Sequence, residues 1–181
     1  MSETLGKRTR LIRKKAASQI AFRQGIEMDA NKEHLRDLRS RIVTMASMSQ
    51  FSGFVTDQSW GECAEATSRF KEYSGQPISD ESALRDRDIL FFLSKDALCH
   101  AFPVFSAHCI SKEADINWEL LDVLLFVGHR RKHELLGIDD RLRSTIAELF
   151  SGIWLSLTDF QKECYEDDFR EAISSLSLTD N

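Results

Sequence analysis

Only two prolines and eight glycines punctuate the 181 residues, and this scarcity constrains the fold more than any other feature. A sandwich or barrel must reverse direction about every ten residues and needs turn-forming residues to do so. Long helices need few reversals, so an all-α chain is expected. With 42% hydrophobic and 29% charged residues, the chain can bury a substantial core, and its length suits one compact domain with an appendage.

The cysteines at 63, 99, 109 and 164 form no Cys-x-x-Cys pair and fall within apolar periodic segments. They read as small buried hydrophobes of a reducing compartment. The opening MSETLGKRTRLIRKKAASQIAF is basic without a continuous apolar run, and no later run reaches the length of a membrane span. A cytoplasmic location without membrane association is expected; an organellar presequence is the alternative reading of the basic start.

Charge is divided unevenly. Residues 1 to 41 hold eleven Lys or Arg against five Asp or Glu, a balance of +6, so the other 140 positions carry −11. Such a body repels nucleic acid and steers a basic partner toward itself. The basic segment has two readings: a helix docked on the acidic body of its own chain, or a nucleic-acid contact through Arg8, Arg10, Arg13, Lys14 and Lys15. A single aromatic, Phe22, and the lack of a reading motif count against the second.

Helical periodicity runs through the chain. Leu11, Ile12, Ala16, Ile20 and Ile26 fall roughly on one stripe of an amphipathic arm. Leu35, Leu38, Ile42 and Met45, spaced three, four and three apart, form the seam of a helical hairpin or short coiled coil, so two front helices are expected to pair. Ser59 and Glu62 make a capping box for a helix burying Trp60, Cys63, Ala64, Thr67 and Phe70, which Gly75 and Pro77 stop. A further helix starts near Asp80 and carries Leu84 toward Phe91 and Phe92, although ILFFL alone would also suit a strand. Ser94 caps the next, with Leu98, Phe102, Phe105 and Ile110 as its core face. NWELLDVLLFVG is apolar enough to be a central element buried on several sides. Leu142, Ile146, Leu149 and Ile153 mark another stripe, and Thr158 with Gln161 caps a last helix expected to bury Phe160, Cys164, Phe169, Ile173 and Leu176.

Three clusters invite a chemical reading. CHAFPVFSAHC, residues 99 to 109, offers Cys99, His100, His108 and Cys109. On a helix Cys99 and His108 would lie on opposite sides, about 13 Å apart along the axis, so buried thiols and satisfied or partly exposed imidazoles on a packed helix are expected there and no metal. In HRRKH, His129 and His133 share the four-residue spacing of zinc proteases, but the glutamate is missing and three cations intervene. A positive helix end is the plainer reading. YEDDF, with Glu166, Asp167 and Asp168, lacks calcium-loop spacing and reads as a solvated helix face or a docking face. No Gly-rich phosphate loop or nucleophile elbow is present.

The stretches SWGECAEATSRFKEY, ALRDRDILFFLSKDALCHAFPVFSAHCI, NWELLDVLLF and SLTDFQKECYEDDFREAI, taken in order over about residues 51 to 176, resemble an uncharacterised family of small bacterial helical proteins. Phe102, Pro103 and Phe105 echo an aromatic-rich helix around a proline in that family. The basic arm, residues 1 to about 45, departs from its pattern, as does the missing acidic, tryptophan-bearing link after the first capped helix. The resemblance implies a bacterial, cytosolic, all-helical protein of a kind sometimes found beside toxin systems. It supplies packing motifs and no activity.

These readings converge on an all-α fold: a single helical bundle of about seven or eight helices, with a basic N-terminal helical arm or hairpin at residues 1–50 and an acidic helical core at 51–181. The expected function is a non-enzymatic protein-binding module without cofactor or metal, most concretely an immunity or antitoxin-type protein that occludes a basic toxin. Asp159, Glu163, Glu166, Asp167 and Asp168 are its expected contact residues. The alternatives are a nucleic-acid-associated regulator using the arm, and a metal-dependent or thiol hydrolase built on His129 and His133 or on Cys99 and His100.

Overall fold

Each helix start leaves backbone amides without partners, and short polar side chains that can accept from them fix where helices begin. In a computed structural model describing residues 29–46, 64, 65, 67–69 and 78–177, α1 covers residues 29–45 and α2 the short helical stretch at 64, 65 and 67–69. Ser79, Ser94, Asn117 and Asp139 then cap α3 (Asp80–Arg85), α4 (Lys95–His108), α5 (Trp118–Arg130) and α7 (Asp140–Ser156), each accepting from amides of the first turn. A single turn, α6 (Lys132–Leu135), links α5 to α7. Before α8 (Asp159–Ser177), Thr158 and Gln161 make the expected reciprocal box: Thr158 N donates to Gln161 Oε1 at 3.0 Å and Gln161 N to Thr158 Oγ1 at 3.3 Å. The described residues contain no strand, only an isolated antiparallel bridge between Ile110 and Ile116. The all-α bundle of about eight helices is therefore what the chain forms.

Helix α4 is one of two central elements of the packing. From Ala101 to Ile110 every residue is buried, because the two polar side chains in that run are satisfied locally: Ser106 Oγ donates to Phe102 O at 2.7 Å, and His108 pairs with Asp80. Pro103 sits inside the helix without ending it. Helices α3, α5, α6 and α7 and the Arg87–Phe91 3₁₀ turn all pack on α4. Helix α5, expected from the sequence as a central element, packs on as many: α3, α4, α6, α8 and the same 3₁₀ turn. Its column Glu119, Asp122, Phe126 and Arg130 faces outward, with Phe126 50% exposed, because charges at helical spacing claim one side.

The seam Leu35, Leu38 and Ile42 of α1 is fully buried in the same core, with Met45 packed at its edge. Its partner among the described residues is the body. Asn31 Nδ2 donates to Gly152 O of α7, and Arg39 Nε donates to Ala107 O of α4. A Cβ on Gly152 would come within 2.9 Å of Leu35 Cδ2, so the absent side chain is what lets α1 and α7 approach.

Two further elements differ from expectation. The helix drawn from Asp80 to Phe92 divides at Asp86, whose buried carboxylate accepts from Arg85 Nη2 at 2.8 Å. Successive side chains on a regular helix do not face each other, so the chain turns there, and ILFFL continues as the 3₁₀ turn. In α8, Phe169 and Leu176 are buried and Ile173 half-buried, but Phe160 and Cys164 are exposed. At 100° per residue Phe160 lies half a turn round from Phe169, and Cys164 about 140° away. Ser59, Trp60, Glu62, Cys63, Phe70, Gly75 and Pro77 lie outside the described residues; of that expected stripe, Ala64 is exposed and Thr67 half-buried.

Candidate functional site

The outward face of α8 gathers the expected acids. Asp159, Glu163, Glu166 and Asp167 are all exposed and fall within about 100° of one another around the helix axis. Asp168 is also exposed but turns roughly 100° from Asp167, and it adds negative charge around Tyr165 instead. Burial first, then the Asp122 carboxylate bonded to the phenol and the nearby Asp168 charge, push the Tyr165 hydroxyl above its usual range. Arg170, on the α8 face, pairs with Asp167, which leaves four of the five acids, Asp159, Glu163, Glu166 and Asp168, outside that pair.

Two large apolar side chains stand at the same corner. Phe160 in the first turn of α8 is 74% exposed, and Leu155 near the end of α7 is 71% exposed. The sequence reading placed Phe160 in the core and did not single out Leu155. The signal was present in both cases: Leu155 lies about 150° from the centre of the Leu142, Ile146, Leu149 and Ile153 stripe.

Helix α1 presents the opposite sign. Arg36, Arg39, Ser40, Val43 and Thr44 line a groove of about 260 Å³ with Lys112, and no carboxylate lines it. Arg36 donates to the carbonyls of Lys112 and Glu113, both at 3.2 Å. On the other flank, His34 and Arg41 reach Glu148 of α7. Arg8, Arg10, Arg13, Lys14 and Lys15, the candidate nucleic-acid contacts, lie outside the described residues.

Arg39 also enters a half-buried polar trio. Its Nη2 donates to Asp80 Oδ1 at 2.5 Å, and His108 Nδ1 faces the same oxygen. A carboxylate only accepts, so the imidazole carries its proton on Nδ1. Burial lowers the His108 pKa from 6.5 despite Asp80. Burial works to raise Asp80, but the His108 hydrogen bond and the Arg39 charge outweigh it and hold the carboxyl below 3.8. For His108 the unfolded chain takes up its proton first, so stability falls as pH drops below about 6.5. For Asp80 the stabilisation is complete above the unfolded value and is lost as pH falls through the folded one. Both losses run toward acid. His108→Asn should flatten the decline in unfolding free energy as pH falls below about 6.5, measured by urea titration; an unchanged slope would refute the assignment.

The remaining clusters separate in space. Cys99 Sγ donates to Glu134 O at 3.1 Å, while His108 faces Asp80 and His100 is exposed. Burial pushes the Cys109 thiol up to about 12 and raises Cys99 too, which disfavours the thiolate form at both positions. His129 and His133 do not share a helix, because α5 ends at Arg130. Arg131 turns inward there, donating to Leu90 O at 3.0 Å and Leu93 O at 2.7 Å. Among the described residues, no three His, Cys, Asp or Glu side chains converge as a metal-ligand set, and no helix is long and apolar enough to cross a membrane.

Fold and surface together define a helical bundle with an acidic corner carrying two uncovered apolar side chains. No family model, curated protein or solved structure matches the chain.

Proposed function

We propose that this chain is a non-enzymatic protein-binding module that captures a basic protein on the corner between α7 and α8. The observation that carries this reading is that Leu155 and Phe160, on either side of the turn between α7 and α8, are each about three-quarters exposed, with the exposed acids Asp159, Glu163, Glu166 and Asp167 on the same helix as Phe160. Burying a leucine or phenylalanine side chain stabilises a complex by roughly 1.5–3 kcal/mol. Apolar anchors within a polar rim are the anatomy of a docking patch, and the charged rim accelerates encounter with a partner of opposite sign.

The finer reading is an immunity or antitoxin-type protein of the bacterial cytoplasm. A toxin that cuts nucleic acid needs a basic surface to hold phosphate, and the α8 face complements such a surface. The test begins with crosslinking in native cells and identification of the captured protein, followed by kinetics with that partner purified. Replacing Glu163, Glu166 and Asp167 together by lysine should slow association about tenfold or more at low salt and reduce its salt dependence. The captured protein should lose its own activity when bound. A partner whose association ignores the triple substitution would remove the face from the mechanism.

A further inference from the structure

The acidic corner lies beside the point where the basic N-terminal segment joins the fold. Asn31, near the start of α1, is tied to Gly152 O at 3.3 Å, and Gly152 precedes Leu155 by three residues, less than one helical turn. His34 and Glu148, 3.5 Å apart, continue the same contact. Asp29, the first described residue of α1, therefore lies toward the end of α7 that carries the exposed Leu155.

The sequence of residues 1–28 complements that surface in both charge and polarity. They hold seven Lys or Arg against two Asp or Glu, and Leu11, Ile12, Ala16, Ile20 and Ile26 fall within one half of a helical wheel. Sixteen residues span about 24 Å as a helix, whereas the rise from Asp159 to Asp167 is about 12 Å. The segment is long enough to cover the whole face.

We propose that residues 11–26 occupy the Leu155 and Phe160 face of their own chain in the free protein, so that a basic partner gains the site only by displacing them. The inference rests on reading this corner as a docking site for basic protein. A short tether holds the segment at an effective concentration of millimolar order, and the partner's apparent affinity falls by the fraction of time the face is covered.

The test needs no partner. Cys164 is exposed one turn beyond Phe160, so a covering segment shields its thiol. Pulsed alkylation of the dilute full chain, read peptide by peptide in a mass spectrometer, is compared between wild type and Arg13→Glu, Lys14→Glu, Lys15→Glu. The variant should react about fivefold faster or more at Cys164, the ratio following the covered fraction, and high salt should accelerate the wild type alone. Equal rates overturn the proposal. Carbodiimide coupling gives a second readout: Lys14 or Lys15 should join Glu163, Glu166 or Asp167, and coupling only to carboxylates elsewhere would also overturn it. Failure in both readouts leaves capture at the corner intact. Failure of capture alongside rapid alkylation of the variant strikes the docking reading alone.

Discussion

Replacing Arg143 by methionine is expected to destabilise the fold by about 3 kcal/mol, a large fraction of the 5–15 kcal/mol typical of a domain. The side chain is 3% exposed. Its Nε donates to Leu176 O at 3.2 Å, its Nη1 to Leu136 O at 3.0 Å, and its Nη2 to Asp140 Oδ1 at 2.5 Å. One guanidinium thus joins the start of α7, the turn before it and the end of α8. Methionine keeps most of the apolar stem, so the change isolates the donors. A buried ion pair can often be exchanged for apolar residues at little cost, but here two acceptors are main-chain carbonyls that no substitution removes, and each left unpaired costs about 1–3 kcal/mol. Asp140 is 84% exposed, and its pair adds at most about 1 kcal/mol. Urea unfolding of Arg143→Met beside Asp140→Asn should therefore show a large loss and a small one. Comparable losses would mean that the ion pair, and not the carbonyl capping, holds these elements together.

Arg143 also illustrates what the sequence conceals. Caps were legible because Ser94 or the Thr158 and Gln161 pair acts on amides two or three residues away, a range that sequence spacing captures directly. Stripes were legible for the same reason, which is how Leu35, Leu38 and Ile42 could be assigned to a buried seam before its partner was known. Arg39, Arg131 and Arg143 were not, since they turn inward to carbonyls contributed by remote turns and helix ends. Main-chain acceptors exist at every residue, so no pattern of residue types marks them. Arg131 shows the consequence. By binding Leu90 O and Leu93 O it stops α5 and separates His129 from His133, although their spacing alone suggested one continuous face. The acidic character of α8 could be read from YEDDF, whereas the apolar half of the candidate site was missed because Phe160 was grouped with residues half a turn away.

That distinction between two phenylalanines leads to the second large effect. Phe102→Ala should lower stability by about 3–5 kcal/mol, whereas Phe160→Ala should change it by about 1 kcal/mol at most. Phe102 is wholly buried on α4, beside a close approach of α5 and α8: a Cβ on Gly128 would stand 3.3 Å from Ala172 Cβ and 3.9 Å from Phe102 Cζ. The void left by its ring could close only if α5 and α8 moved together, and Gly128 and Ala172 already leave them little room to approach. The cavity would therefore persist and keep its full cost. Among the described residues Phe160 has no such enclosure, and its ring can contribute strongly only when another surface covers it. Unfolding midpoints of the two variants, set beside capture of the native partner, separate the roles. Phe102→Ala should lower the midpoint, and Phe160→Ala should weaken capture about tenfold while the midpoint moves little. A Phe160→Ala protein as unstable as Phe102→Ala would return that residue to the core and dissolve the docking corner.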